Sequence, residues 1–263
     1  MLKLYRFPGA TCAAKVLMAL HEKAMLFEDV CLDRADLATD WYRRLNPDGV
    51  VPTVVHDGVV LVESSIILNY IEDRFFGSGI ILRPEAPLLR AAMNHWLKIL
   101  DDLLPSLATA TYAIAARDRY LALSTAEREA YYATIPDSYI RQSRRDAIEL
   151  GLAAPEAGRA LSSLAALTAR VEECLFDRLF LCGEFSLADI AIAPFIARMD
   201  SLGLLAASPP GPLFDQWWAR IRARPSFIAG VEGSTPAATD AALRDAGKRH
   251  AAEIARLIGS QVP

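Results

Sequence analysis

The sequence predicts a small α/β domain followed by a larger all-helical domain. Three observations carry this. The first 76 residues alternate short β-branched runs with segments of helical periodicity. A Gly- and Pro-rich stretch, FGSGIILRPEAPLLR, comes next. Beyond it the apolar residues recur at helical spacing without a strand pattern.

LKLYRF at the start reads as a short strand. TCAAKVLMALHEKA is a helix, with Thr11 as its expected N-cap. LFEDVCL is a second strand, and TDWYRRL a short helical turn opened by Thr39 or Asp40. PTVVHDGVVLV holds two strands joined by Asp57-Gly58, the pair a tight hairpin turn demands. ESSIILNYIEDRF is a helix whose apolar face is expected to carry Ile66, Ile67, Tyr70 and Ile71. The order is β-α-β-α-β-β-α. A crossover makes the first two strands parallel, and the hairpin makes the last two antiparallel.

Helical segments are then expected at about 88–116, 124–149, 156–179, 186–203 and 214–223, with Pro105 kinking or interrupting the first. Pro136, Gly151 and Pro155 punctuate the middle. The Ala-rich last 28 residues read as a surface helix and a frayed end. The domains are therefore placed at 1–78 and 88–263.

The length of 263 residues suits two small domains, and 53% apolar residues supply a sizeable core. A net charge of −4 argues against nucleic acid as a partner, because phosphates attract basic surfaces. No run of about 18 apolar residues predicts a membrane span. The opening MLKLYRFPGA lacks the apolar block of a signal peptide, so a cytoplasmic protein is expected. Cys12, Cys31, Cys174 and Cys182 form no C-x-x-C and have no histidines at zinc spacing; free thiols and no metal are expected. His56 and His95 have no evident acid–base partner, and Trp217 and Trp218 read as structural.

Two places invite a ligand. Pro52 removes a ladder donor at the mouth of a strand. Either Val51–Pro52 is an ordinary trans bond at a sheet edge, or it is cis and turns the Val51 N–H and C=O outward, to pair with a peptide as one more strand would. Glu63-Ser64 opens a helix whose first N–H groups are unpaired and partly positive. Either the two residues simply cap it, or Ser64 and the helix terminus receive a carboxylate while Glu63 holds an ammonium.

The strand order, the VVP step, the VESS helix start, the helical second domain and FSLADIAIAP with its Ser186/Asp189 capping-box spacing resemble the cytosolic glutathione transferases. The resemblance covers nearly the whole chain. It implies a thioredoxin-like first domain that binds glutathione and a helical second domain. Val51, beside Pro52, would pair with the cysteinyl backbone, and Glu63 and Ser64 would hold the γ-glutamyl group. Many members carry Lys or Gln just before Val-Pro; here Val50 stands there, so Arg43 or Arg44 is the substitute considered for the glycyl end. Asp101 or Asp102 would reach the γ-glutamyl amine across a dimer interface, homo- or heteromeric.

Glutathione attacks as a thiolate. A thiol with a pKa near 8.5 is only about 3% ionised at pH 7. Lowering that value by roughly two units gains about 25-fold and needs about 2.7 kcal/mol. One charge-assisted hydrogen bond contributes roughly 1.5–3 kcal/mol, so one group at the start of the first helix suffices. The candidates are Thr11 and Cys12. At a helix N-terminus Cys12 is expected to have a depressed pKa and could itself form a mixed disulfide.

Within the family, LKLYRF, ALHEKAMLFEDVCLD, LNPDGVVPTVVHDGVVLVES and IPDSYIRQSRRDAIELG resemble the bacterial glutathione-dependent β-etherases, which cleave lignin-derived aryl ethers. TCAAK resembles the tetrachlorohydroquinone reductive dehalogenases, which carry a cysteine there. The first likeness implies displacement of an aryloxide from a carbon beside a ketone. The second implies Cys12-dependent exchange, and a non-catalytic partner subunit is a third alternative. The hydrophobic aromatic acceptor is expected between the domains, near Pro8, Tyr112, Ile114, Tyr120, Tyr139 and Arg145.

Overall fold

The computed structural model describes residues 1–260; the last three residues of the tail expected to end frayed lie outside the described residues. The first elements are β1 (Leu2–Arg6), α1 (Thr11–Glu22), β2 (Glu28–Cys31), α2 (Asp40–Leu45), β3 (Thr53–His56), β4 (Val59–Leu61) and α3 (Ser64–Arg74). The sheet order is β2-β1-β3-β4. β1 runs parallel to β2, with Leu4 opposite Asp29. It runs antiparallel to β3, with Leu4 opposite Val54. β3 and β4 form the antiparallel hairpin, and its turn residues Asp57 and Gly58 have φ of 50° and 83°. Two successive positive φ angles match the twist of the flanking strands, which is why Asp-Gly sits there.

Strand alternation turns Leu2, Leu4 and Val54 to one face, where they meet Val16, Leu17 and Leu20 of α1 and Ile67 and Ile71 of α3. Each such side chain stabilises the fold by about 1.5–3 kcal/mol when fully buried. Two expectations are corrected. Ala10, not Thr11, is the N-cap of α1, so Thr11 is the first helical residue. Ile66 is 59% exposed, because the sheet takes only the Ile67/Ile71 side of α3.

The Gly/Pro stretch is strapped down rather than loose. The Lys23 ammonium donates to the Ile80 carbonyl at 2.9 Å, and the Leu82 carbonyl accepts from the Leu187 amide at 2.9 Å. Gly79, at φ 59°, lies so close to the Glu22 carbonyl that a Cβ would come within 2.2 Å. Lys23 also pairs with the fully buried Glu72 at 2.6 Å.

The remaining helices are α4 (Pro87–Thr111), α5 (Arg117–Leu121), α6 (Thr125–Ala133), α7 (Ser138–Leu150), α8 (Ala157–Cys174), α9 (Leu187–Ser201), α10 (Leu204–Ala207), α11 (Pro212–Arg222), α12 (Pro225–Phe227), α13 (Ala237–Arg249) and α14 (Ala251–Gly259). Pro105 does not end α4. The irregularity comes just after, in a π-helical turn at Tyr112–Ala116. The segment expected at 124–149 is two helices. A Ser124/Glu127 capping box opens α6, and Asp137 caps α7 by accepting the Ile140 amide at 2.8 Å. The tail holds two helices, not one, with Leu243, Ile254 and Ile258 buried.

The chain forms two compact units that interleave in sequence. One comprises residues 1–101, 174–196 and 213–236; the other comprises 102–173, 197–212 and the described residues from 237. In the first, α1 packs on α3 and also on residues 225–232, where a Cβ on Gly230 would come within 2.8 Å of the Met18 backbone. The start of α9 is fixed there by Asp189, which is fully buried. Its Oδ2 accepts from the Ser186 amide and hydroxyl, and its Oδ1 from the Leu181 amide and Trp217 Nε1, all within 3.1 Å. In the second unit, α7 packs on α5 and on the π-helical turn, and α13 packs on that same turn.

Candidate active site

Ser64 is the first residue of α3 and Glu63 its N-cap, and neither side chain caps the helix. Glu63 is exposed and holds φ 66°, ψ 112°. A residue with a side chain pays strain there, and such strain concentrates at functional positions. Ser64 is buried, and its Oγ accepts from Lys15 Nζ at 3.3 Å. Lys15 itself is fully buried, 3.9 Å from Asp101 and 5.0 Å over the Phe195 ring. The Ser65 hydroxyl donates to Asp101 Oδ1 at 2.8 Å.

The start of α3 thus combines the positive end of a helix, one ammonium and two carboxylates. This charge pattern complements an amino-acid head group: a carboxylate fits the helix terminus and Ser64, and an ammonium fits Glu63 and Asp101. Asp101 lies in this cluster of its own chain, whereas Asp102 does not contact Ser65 or Lys15 among the described hydrogen bonds. Sequence reasoning missed Lys15. Its signal was a lone lysine inside Ala13–Leu20, a run in which every residue is buried.

A second buried network shapes the loop before β3. Tyr42 Oη donates to the Val50 carbonyl at 2.6 Å and lies 3.0 Å from Thr53 Oγ1. Asn46 Nδ2 donates to the same two acceptors at 2.9 and 3.2 Å. The Val51–Pro52 bond within this loop is cis. Val50 is half exposed, Arg43 is half-buried beside Gly49, and Arg44 is exposed. Arg43 and Arg44 thus sit on α2, next to the loop that Tyr42 and Asn46 hold.

Thr11 and Cys12 open α1, both half-buried. The expected depression of the Cys12 pKa is corrected. Burial pushes the thiol up, Lys15 and the Ser64 hydroxyl pull it back, and Asp101 and Glu63 push it further up. Burial is the largest of these effects, so the thiol stays above its ordinary value despite Lys15 and Ser64. All four cysteines are free.

In the second unit the structure brings Tyr112 and Tyr120 together, with ring centroids 5.7 Å apart. Ile114 is fully buried and Tyr139 is 66% exposed. Arg145 is spent on Glu129, to which Nη2 donates at 2.7 Å. Its neighbour Arg144 is the residue that joins the tyrosines. Pro8, in the first unit, is exposed. His56, read as partnerless, has Nδ1 2.6 Å from Tyr70 Oη. Trp217 and Trp218 are buried among Phe214 and Phe227. Among the described residues, no group of three His, Cys, Asp or Glu could hold a metal, and no helix is long and apolar enough to cross a membrane.

A mixed four-stranded sheet carrying α1 and α3, a cis proline before β3, a polar start to α3 and a mostly helical remainder define the glutathione transferase fold. The chain belongs to the glutathione S-transferase family: the N-terminal domain of that family matches residues 11–74 and the C-terminal domain residues 137–225. Protein LigF of Sphingobium sp. (strain NBRC 103272 / SYK-6) is 33% identical over 245 residues, which are 89% of this chain and 94% of LigF. The tetrachloro-p-hydroquinone reductive dehalogenase of Sphingobium chlorophenolicum is 28% identical over 85% of this chain and 93% of its own. The crystal structure of β-etherase LigF from Sphingobium sp. strain SYK-6 is similar at a TM-score of 0.79 and 30% identity, over 88% of this chain and 99% of that one.

Proposed function

We propose that this chain is a glutathione transferase of the β-etherase type. Its co-substrate is glutathione and its acceptor an aromatic β-aryl ether ketone, of the kind lignin yields. The sulfur of bound glutathione, as thiolate, attacks the carbon that bears the aryloxide. A C–S bond forms, the C–O bond breaks with its electron pair going to oxygen, and the aryloxide leaves to be protonated by water. The products are a glutathione thioether and a phenol.

The observation that carries this reading is the likeness to LigF over most of both chains. The polar start of α3 supports it locally, with Glu63, Ser64 and Asp101 as binding groups for the γ-glutamyl end and the Val51 backbone for the cysteinyl part. Arg43 and Arg44 remain the proposed groups for the glycyl carboxylate. Thr11 is the proposed donor to the thiolate, because displacement by glutathione needs no protein nucleophile. The protein is read as a cytoplasmic dimer.

Cys12 supports a second reading. It lies within the influence of Lys15 and Ser64, and the dehalogenase likeness spans most of the chain. In that case Cys12 would exchange with glutathione. The test is incubation with glutathione and a β-aryl ether ketone, followed by mass analysis. Equal amounts of thioether and phenol support displacement; loss of the ether with formation of oxidised glutathione supports exchange chemistry; unchanged ether contradicts both.

A further inference from the structure

Behind the start of α3 lies a positive charge that touches no solvent. Lys15 projects from α1, and its side chain has no exposed surface. Its Nζ donates to Ser64 Oγ at 3.3 Å, stands 3.9 Å from Asp101 Oδ1 and lies 5.0 Å over the Phe195 ring. Lys15, Ser64, Asp101 and Phe195 all belong to the first compact unit.

A desolvated ammonium is costly unless it is closely paired. Here no carboxylate among the described residues comes nearer than 3.9 Å, which is beyond hydrogen-bond distance. That carboxylate oxygen already accepts from the Ser65 hydroxyl at 2.8 Å, and 42% of the Asp101 side chain faces water. An apolar side chain of similar length would fill the space at less cost. The fold alone therefore gives little reason for a charge at this position.

The hydroxyl of Ser64 gives one. An ammonium has donors and no acceptor, so Ser64 Oγ must accept in this contact. The hydroxyl is left with one proton to donate. One claimant is the Cys12 sulfur, which the Ser64 hydroxyl stabilises as thiolate. The other is a carboxylate docked at the N-terminus of α3, where the unpaired peptide N–H groups also point.

We propose that Lys15 is a positioning residue of the head-group site: by donating to Ser64 Oγ, it commits the Ser64 hydroxyl to donating to the ligand carboxylate. That the ligand is the γ-glutamyl end of glutathione rests on the glutathione transferase reading. Having no exposed surface, Lys15 acts through Ser64 and not by touching the ligand. With an uncharged residue in its place, the hydroxyl is free to rotate away.

The test is a calorimetric binding cycle on wild type, Lys15→Met, Ser64→Ala and the double variant. Each is titrated with glutathione and with 4-aminobutyryl-cysteinyl-glycine, which is glutathione without its α-carboxylate. Wild type should prefer glutathione by roughly 10-fold or more, the scale of a hydrogen bond to a charged group. Lys15→Met should lose about as much of the preference as Ser64→Ala, and the double variant no more than either. Lys15→Arg, also a cation with donors only, should keep part of it. The melting temperature of Lys15→Met should be unchanged or raised, since a desolvated charge is gone. Lys15→Gln guards against misfolding of the Met variant; its amide oxygen can accept the Ser64 proton, so it too should lose preference. A full preference in Lys15→Met or Lys15→Gln would overturn the positioning role and leave the glutathione reading standing. So would losses that add in the double variant, because Lys15 would then act independently of Ser64. Wild type that binds both ligands equally would overturn the carboxylate contact and the role of Lys15, but not glutathione binding. Wild type that binds neither would overturn the glutathione reading and the role of Lys15 with it.

Discussion

The Lys15 ammonium lies 3.3 Å from the Ser64 hydroxyl, joining the side of α1 to the first residue of α3. Both are buried, 49 positions apart in sequence. The contact adds a positive charge to a helix terminus already suited to a carboxylate. Ser64→Ala should therefore weaken glutathione binding by about 1.5–3 kcal/mol, roughly 10- to 100-fold, with a smaller loss of stability. Calorimetry and a thermal melt on the same preparation check this. Wild-type affinity would leave Ser64 a purely structural role.

Glu63 separates binding from folding more sharply. Its φ of 66° suits glycine, whereas its carboxylate is proposed to hold an ammonium. Glu63→Gly should leave the melting temperature unchanged or raised, since relief of about 1–3 kcal/mol of strain offsets the entropy glycine loses on folding. Glutathione affinity should fall at least about 10-fold. A drop in melting temperature with intact affinity would mean that Glu63 serves the fold.

How far these residues were legible depended on range. Asp57-Gly58, Glu63-Ser64 and Ser186/Asp189 were readable because turns and helix starts are decided by neighbours within about four residues. Lys15 and Arg144 were not, because their meaning lies in partners from other helices. In a sequence, Arg144 and Arg145 look alike; only the packing of α7 gives one a carboxylate and the other three tyrosines. Ile66 and Ile67 show the same limit, since periodicity gave a stripe on α3 but not which edge the sheet would cover. The interleaving of the two compact units is likewise a property of long-range packing.

Burial of the Cys12 thiol predicts a pH profile. A raised pKa means that thiolate is scarcer at neutral pH than for a free cysteine, so alkylation of Cys12 by iodoacetamide should be slow at neutral pH and climb at a pH above that of glutathione's own titration. Peptide mapping over a pH series reads this. Fast alkylation of Cys12 at neutral pH would restore it as a nucleophile.

Asp189 should dominate stability in the first unit. Asp189→Ala leaves four buried donors unpaired at about 1–3 kcal/mol each, so a loss above about 3 kcal/mol is expected, and Asp189→Asn should lose less. Burial pushes this carboxyl up to about 6, with its hydrogen bonds pulling down. The folded state then binds the proton more tightly than the unfolded state, so this group's contribution falls as pH rises from the ordinary carboxylate range toward 6. Denaturant melts across that window should show the slope in wild type and its absence in Asp189→Asn.

In the proposed reaction bound glutathione, rather than a protein thiol, is the nucleophile. The direct measurement is the pKa of the bound glutathione thiol, titrated by thiolate absorbance in wild type, Thr11→Ala and Cys12→Ala. A value well below the roughly 8.5 of a free thiol is expected in wild type and Cys12→Ala, with a rise in Thr11→Ala. A rise confined to Cys12→Ala would contradict it and assign the chemistry to Cys12.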